Sequence, residues 1–152
     1  MLKYKFTLKE TDGADVSLDN FRGQNVVLYF YPKDNTAGCT TEATEFRDLY
    51  DEFVEKDTVI LGVSRDTLKS HAKFREKYNL PFLLLSDEDE EVHKLFDVMK
   101  IKKMYGKEYM GAERSTFVFD REGELVKEFR NVKAKGHAEK VLKSIEDELS
   151  KV

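Results

Sequence analysis

The apolar positions of this chain keep three rhythms, and each rhythm predicts an element. From Val26 to Tyr31 they run almost without a break and are rich in β-branched and aromatic side chains. Such a run predicts a strand covered on both faces. Thr58 to Ser64 (TVILGVS) and Phe82 to Leu85 repeat it in shorter form. Between them the spacing changes to three and four. Phe46, Leu49, Tyr50 and Phe53 predict a helix that follows residue 39 and runs to about Lys56, while Leu68, Ala72, Phe74 and Tyr78 predict a second over Thr67–Tyr78, stopped at Asn79-Leu80-Pro81. Val92, Leu95, Phe96 and Met99 follow Ser86-Asp87-Glu88, a helix start with the negative charge that the dipole favours. His137 to Leu149 places Val141, Leu142, Ile145 and Leu149 on one face of a closing helix.

The third rhythm is alternation, which belongs to hairpins. Tyr4 to Leu8 and Asp15 to Leu18 flank a turn at Thr11-Asp12-Gly13, and Ser115 to Asp120 and Glu124 to Arg130 flank Arg121-Glu122-Gly123. Ser17 to Gly23 reads as a single turn closing at glycine. Between Lys100 and Glu113 every rhythm fails, so that stretch is expected to be a loop. Its Tyr105, Tyr109 and Met110 suit a lid, an oligomer contact or the packing of an irregular loop equally well. The element order predicts one α/β domain spanning residues 1–152, with a central mixed sheet, helices on both faces and an N-terminal β-hairpin.

Composition narrows the class. With 152 residues and 40% hydrophobic content, a chain of this size buries about 68–70% of its unfolded surface without needing covalent staples. A net charge of −4 with both signs abundant argues against a nucleic-acid partner. No apolar run approaches the roughly 18 residues of a membrane span, and Met1-Leu-Lys-Tyr-Lys lacks the apolar region of a signal peptide. A cytoplasmic protein is expected. His71, His93 and His137 have no ligand spacing and are read as surface residues, so neither a metal nor a cofactor is expected. Glu88 to Glu91 is read as a solvated helix start.

The only cysteine, Cys39, falls where the central strand hands over to a helix. Most isolated cysteines are small buried hydrophobes. This one lies among Thr36, Gly38, Thr40 and Thr41, beside the unpaired amides and positive end of a helix dipole, where a thiolate is stabilised. A nucleophile is the better reading. The segment also resembles the CxxC site of a thioredoxin-like fold, with Thr36 where the first cysteine would stand, which argues against a dithiol oxidoreductase.

Pro32, Thr36 and Cys39 match the P-x-x-x-T-x-x-C signature of peroxiredoxins, and YFYPKDNTAGCTTEA (29–43) resembles the bacterioferritin-comigratory, or Q-type, branch. HAKF (71–74), YNLPF (78–82), LSD (85–87) and KMYGKEYMGAERSTF (103–117) extend the likeness over nearly the whole chain. The resemblance implies a thioredoxin-like fold and a thiol-dependent peroxidase in which Cys39 attacks hydrogen peroxide or an organic hydroperoxide and becomes a sulfenic acid. It implies that Arg114 is the active-site arginine. In this reading the Thr36 hydroxyl bonds both thiolate and peroxide, and Pro32 shields the sulfur from water. Glu42, one turn on from Cys39, either anchors Arg114 or is a surface glutamate helping the helix dipole.

One departure bears on mechanism. Many members of the branch carry a resolving cysteine five residues after the first; here Thr44 occupies that position. The sulfenic acid then needs an external thiol, from a thioredoxin-like protein, glutaredoxin or small thiol, or a cysteine from a second copy of the chain. Both monomers and homodimers occur in the family. A structural thiol, a redox sensor and a thiol-transferase are the competing readings, separated from a peroxidase by catalytic consumption of peroxide.

Overall fold

The computed structural model describes residues 4–149. Three strands form its centre: β3 (Asn25–Phe30), β4 (Thr58–Ser64) and β5 (Leu83–Ser86). They run parallel, with Leu28 opposite Leu61 and Val63 opposite Leu85. β8 (Ser115–Phe119) joins the other side of β3 antiparallel, and β9 (Leu125–Phe129) follows it through the expected hairpin. β1 (Leu8–Glu10) and β2 (Asp15–Val16) pair as the N-terminal hairpin and add to β5, giving the order β2-β1-β5-β4-β3-β8-β9. The sheet is mixed, and the fold is thioredoxin-like.

Both faces of the sheet are covered, which is why β3 reads as an unbroken apolar run. Val27, Tyr29 and Tyr31 turn to one face, and Val26, Leu28 and Phe30 turn to the other. The first face packs under α1 (Ala37–Asp48), α2 (Tyr50–Glu55), α3 (Leu68–Tyr78) and α5 (His137–Glu148), which supply Phe46, Phe53, Phe74, Val141 and Ile145. The second takes Val92 of the short α4 (Glu91–Leu95), with Phe96, Val98 and Leu18. Rings bind the first face tightly. Tyr29 stacks on Phe46 with centroids 4.8 Å apart, an arrangement worth about 0.5–1.5 kcal/mol beyond its buried area.

Three expectations are corrected. The helix expected to run to Lys56 breaks at Leu49 (φ −100°, ψ 5°) and resumes as α2, so its apolar stripe is shared by two axes. The stretch 100–113 is a hairpin, not a loop: β6 (Met99–Met104) pairs with β7 (Lys107–Ala112) as a separate two-stranded sheet. Tyr105 and Gly106, at φ 52° and 77°, form its two-residue turn, the conformation that matches strand twist. The hairpin stands off the core with Ile101, Met104 and Met110 exposed and Tyr105 98% exposed, so no burial imposes alternation on its sequence. Finally, the histidines are not on the surface. His71 and His93 are 0% exposed and His137 is 2% exposed, each with a buried polar partner: Asp34, Asp87 and Thr116 respectively.

Candidate active site

The end of β3 and the start of β8 meet because Phe30 pairs with Ser115. That register brings Tyr31 and the loop after it to the same edge as Arg114. The loop turns at Asn35 in the left-handed region (φ 59°) and straightens at Thr36 (φ −97°, ψ 159°), whose carbonyl accepts the first helical bond from Thr40 N at 2.9 Å. Ala37, Gly38 and Cys39 thus present amides outside the intrahelical ladder. Along α1 the buried stripe is Cys39, Glu42, Ala43 and Phe46, at helical spacing. A glutamate in that stripe is forced inward.

Cys39 is 1% exposed, and Arg114 Nη2 donates to its Sγ at 3.4 Å. Nη1 of the same guanidinium donates to Glu42 Oε1 at 2.7 Å. The guanidinium bridges the sulfur and the carboxylate, a charge-assisted arrangement. Glu42 is fully buried, so the reading of it as a surface glutamate is overturned in favour of pairing with Arg114. Gly38 makes room for the cation: a Cβ there would lie 3.1 Å from Arg114 Nη2.

The pair is electrostatically tense. Burial pushes the Glu42 carboxyl from its ordinary 4.5 to about 7, outweighing the attraction of Arg114, and Oε2 has no hydrogen-bond partner. Burial opposes the charge of Arg114 too, but Glu42 and Cys39 together hold its pKa above the usual value. The guanidinium keeps its proton. Burial chiefly, then Glu42 and Cys39, keep the nearby Tyr29 hydroxyl protonated. Burial, then Arg114 and Lys140, bring His137 down to about 4, so it is neutral beside Thr116.

The structure separates the remaining site residues. Thr36 is exposed and its hydroxyl donates to the Lys33 carbonyl at 2.8 Å, closing the loop. Its one hydrogen is thereby committed, so the expected donation from Thr36 to Sγ is not made. Pro32 is half-buried in the same loop. Sequence reasoning missed Gly38 as a cradle for the arginine and His71 as a support of the loop. The signal for Gly38 was its place directly before the cysteine; for His71 there was none, since its partner Asp34 lies 37 residues away.

A lone sulfur under a fixed cation, at the start of a helix behind a central strand, points to thiolate chemistry on a thioredoxin-like frame. The pattern of the AhpC/TSA family matches residues 4–128. Peroxiredoxin Bcp of Bacillus subtilis (strain 168) is 54% identical over 140 residues, which make up 92% of this chain and 89% of that protein. Peroxiredoxin Bcp of Escherichia coli (strain K12) is 41% identical over 138 residues, 91% of this chain and 88% of its own. A solved structure of Xanthomonas campestris peroxiredoxin Q superposes with a TM-score of 0.90 at 45% identity, covering 94% of this chain and 90% of that one. The chain belongs to the AhpC/TSA family and stands within it among the Bcp-type peroxiredoxins, which are thiol peroxidases.

Proposed function

We propose that the chain reduces hydrogen peroxide and organic hydroperoxides through Cys39, and that Arg114, Thr36 and Pro32 make up the rest of its catalytic site. The thiolate attacks the terminal peroxide oxygen, the O–O bond breaks, and Cys39 becomes a sulfenic acid while the released oxygen takes a proton to leave as water or an alcohol. The contact that carries this reading is Arg114 Nη2 to Cys39 Sγ at 3.4 Å. A fixed cation there favours the thiolate and offsets the charge that develops on the leaving oxygen. The amides of α1 hold the substrate oxygens. Thr36 Oγ1, its hydrogen given to Lys33, offers lone pairs to the hydrogen of the peroxide. Pro32 limits water at the sulfur, and Glu42 fixes the angle of the guanidinium. In support, an X. campestris bacterioferritin comigratory protein 45% identical to this chain has been described in terms of alkyl peroxide reduction activity.

Turnover uses an external thiol. With one cysteine in the chain, a thioredoxin-like protein, glutaredoxin or small thiol attacks the sulfenic sulfur, releases water and forms a mixed disulfide that a second thiol reduces. The burial of Cys39 requires the first turn of α1 to open for a bulky thiol. We place the protein in the cytoplasm, in antioxidant defence and redox homeostasis, as a monomer or a homodimer. Among the described residues no helix is long and apolar enough to cross a membrane.

The test is Arg114→Ala, followed by stopped-flow oxidation of Cys39. Loss of a charge that acts on the transition state should slow oxidation on the order of a hundred- to a thousandfold. An unchanged rate would remove the arginine from the mechanism.

A further inference from the structure

The loop between Pro32 and Thr36 is held by groups that take no part in the peroxide reaction. Asp34, buried in that loop, accepts from the Tyr31 hydroxyl through Oδ1 at 2.6 Å and from the Ser70 hydroxyl through Oδ2 at 2.8 Å. Its Oδ2 also lies 2.7 Å from His71 Nδ1. The Asp34 amide donates to Asp66 Oδ2 at 2.8 Å, and that oxygen accepts from the Ser64 hydroxyl at 2.6 Å. His71 Nε2 stands 2.9 Å from the Leu85 carbonyl. One network therefore ties the loop to α3, to the end of β4 and to β5.

A proton inventory decides its state. A carbonyl oxygen only accepts, so Nε2 carries a hydrogen. Nδ1 faces a carboxylate oxygen at hydrogen-bond distance, where two bare lone pairs would repel. One more proton must lie between them. That proton joins the two side chains in one buried hydrogen bond. The titratable groups facing the ring are Asp34 in the loop, Asp66 beyond β4 and Tyr31 at the end of β3. Burial and Asp34 hold Tyr31 protonated, so it remains a donor. Among the described residues Asp34 pairs with no lysine or arginine, and His71 is its partner. The three ligand atoms lie within 4.8 Å of one another, close enough for a metal ion. Ligation through Nδ1 would break the bond to Asp34.

We propose that the hydrogen-bonded Asp34–His71 pair clamps the catalytic loop, with His71 as a positioning residue for peroxide reduction. The His71 ring holds Asp34, and Asp34 holds the turn that sets Pro32, Thr36 and the first amides of α1 around Cys39. This rests on the peroxidase reading above.

Proton NMR of the unmodified protein should show a slowly exchanging, far-downfield proton in the hydrogen bond between His71 Nδ1 and Asp34; its absence overturns the clamp. In stopped-flow, His71→Leu should slow oxidation of Cys39 by hydrogen peroxide on the order of ten- to a hundredfold, as displaced catalytic groups do, without slowing reduction of the sulfenic acid by dithiothreitol. His71→Asn, whose amide can still donate to Asp34, should recover most of the rate, whereas His71→Gln, with its amide placed toward Leu85, should not. A chelator should change nothing, and a rate that falls on chelation would replace the proton with a metal. If folded His71→Leu matches the parent rate, the clamp is refuted. If His71→Leu fails to fold, the NMR result and His71→Asn decide. Absence of any peroxide reaction in the parent protein would instead refute the peroxidase reading.

Discussion

Replacing Glu42 with glutamine keeps the side-chain volume and an acceptor for Arg114 but removes a titrating group from a fully buried position. Burial raises this carboxyl from 4.5 to about 7, and each unit corresponds to about 1.4 kcal/mol of differential interaction between the two protonation states. The difference amounts to about 3 kcal/mol. Because the folded protein binds the Glu42 proton more tightly than the unfolded chain, this stabilisation is fully present below about pH 4.5 and is lost as pH rises to about 7. Urea unfolding of both proteins across that range measures it. His137, held down to about 4 by burial and by Arg114 and Lys140, acts in the opposite sense: its contribution is present above its ordinary 6.5 and fades as pH falls. It is common to both proteins and cancels in the difference. The stability of the parent minus that of Glu42→Gln should fall by about 3 kcal/mol between pH 4.5 and 7. Parallel curves would show that the carboxyl is not the tense, half-satisfied group described.

Gly38→Ala should separate stability from activity. Alanine in a helix is favoured over glycine by about 0.5–1 kcal/mol, yet its Cβ would press on Arg114 Nη2 at 3.1 Å; thermal unfolding should show no loss of stability while stopped-flow shows slower oxidation of Cys39. Excess peroxide without thiol should carry Cys39 past sulfenic to sulfinic acid, because no internal cysteine traps the intermediate, and intact-protein mass spectrometry should show that product accumulating with dose.

The parts of the fold visible in the sequence are those where burial on both faces or on a stripe imposes a rhythm. β3, β4 and α5 were legible for that reason. Met99–Ala112 was not, since a hairpin standing in solvent has no core to enforce alternation, and its turn at Tyr105-Gly106 is legible only once the strands are known. The site divides in the same way. Cys39 and Glu42 share one helix face and sit within one motif, so local spacing suggests them. Arg114 reaches Sγ across 75 residues, and no periodicity predicts that contact; family resemblance supplied it. The histidines were misread because burial of a polar ring depends on a distant partner, Asp34 for His71 and Thr116 for His137, rather than on the apolar pattern around it.

The central claim is that Cys39 attacks peroxide directly. Stopped-flow mixing of the reduced protein with hydrogen peroxide, read as loss of peroxide against loss of thiol, tests it most simply. The account predicts rapid consumption of one peroxide per Cys39, sustained turnover once dithiothreitol, glutathione or thioredoxin is added, and neither in Cys39→Ser. Oxidation no faster than that of a free thiol, or turnover surviving in Cys39→Ser, would contradict it.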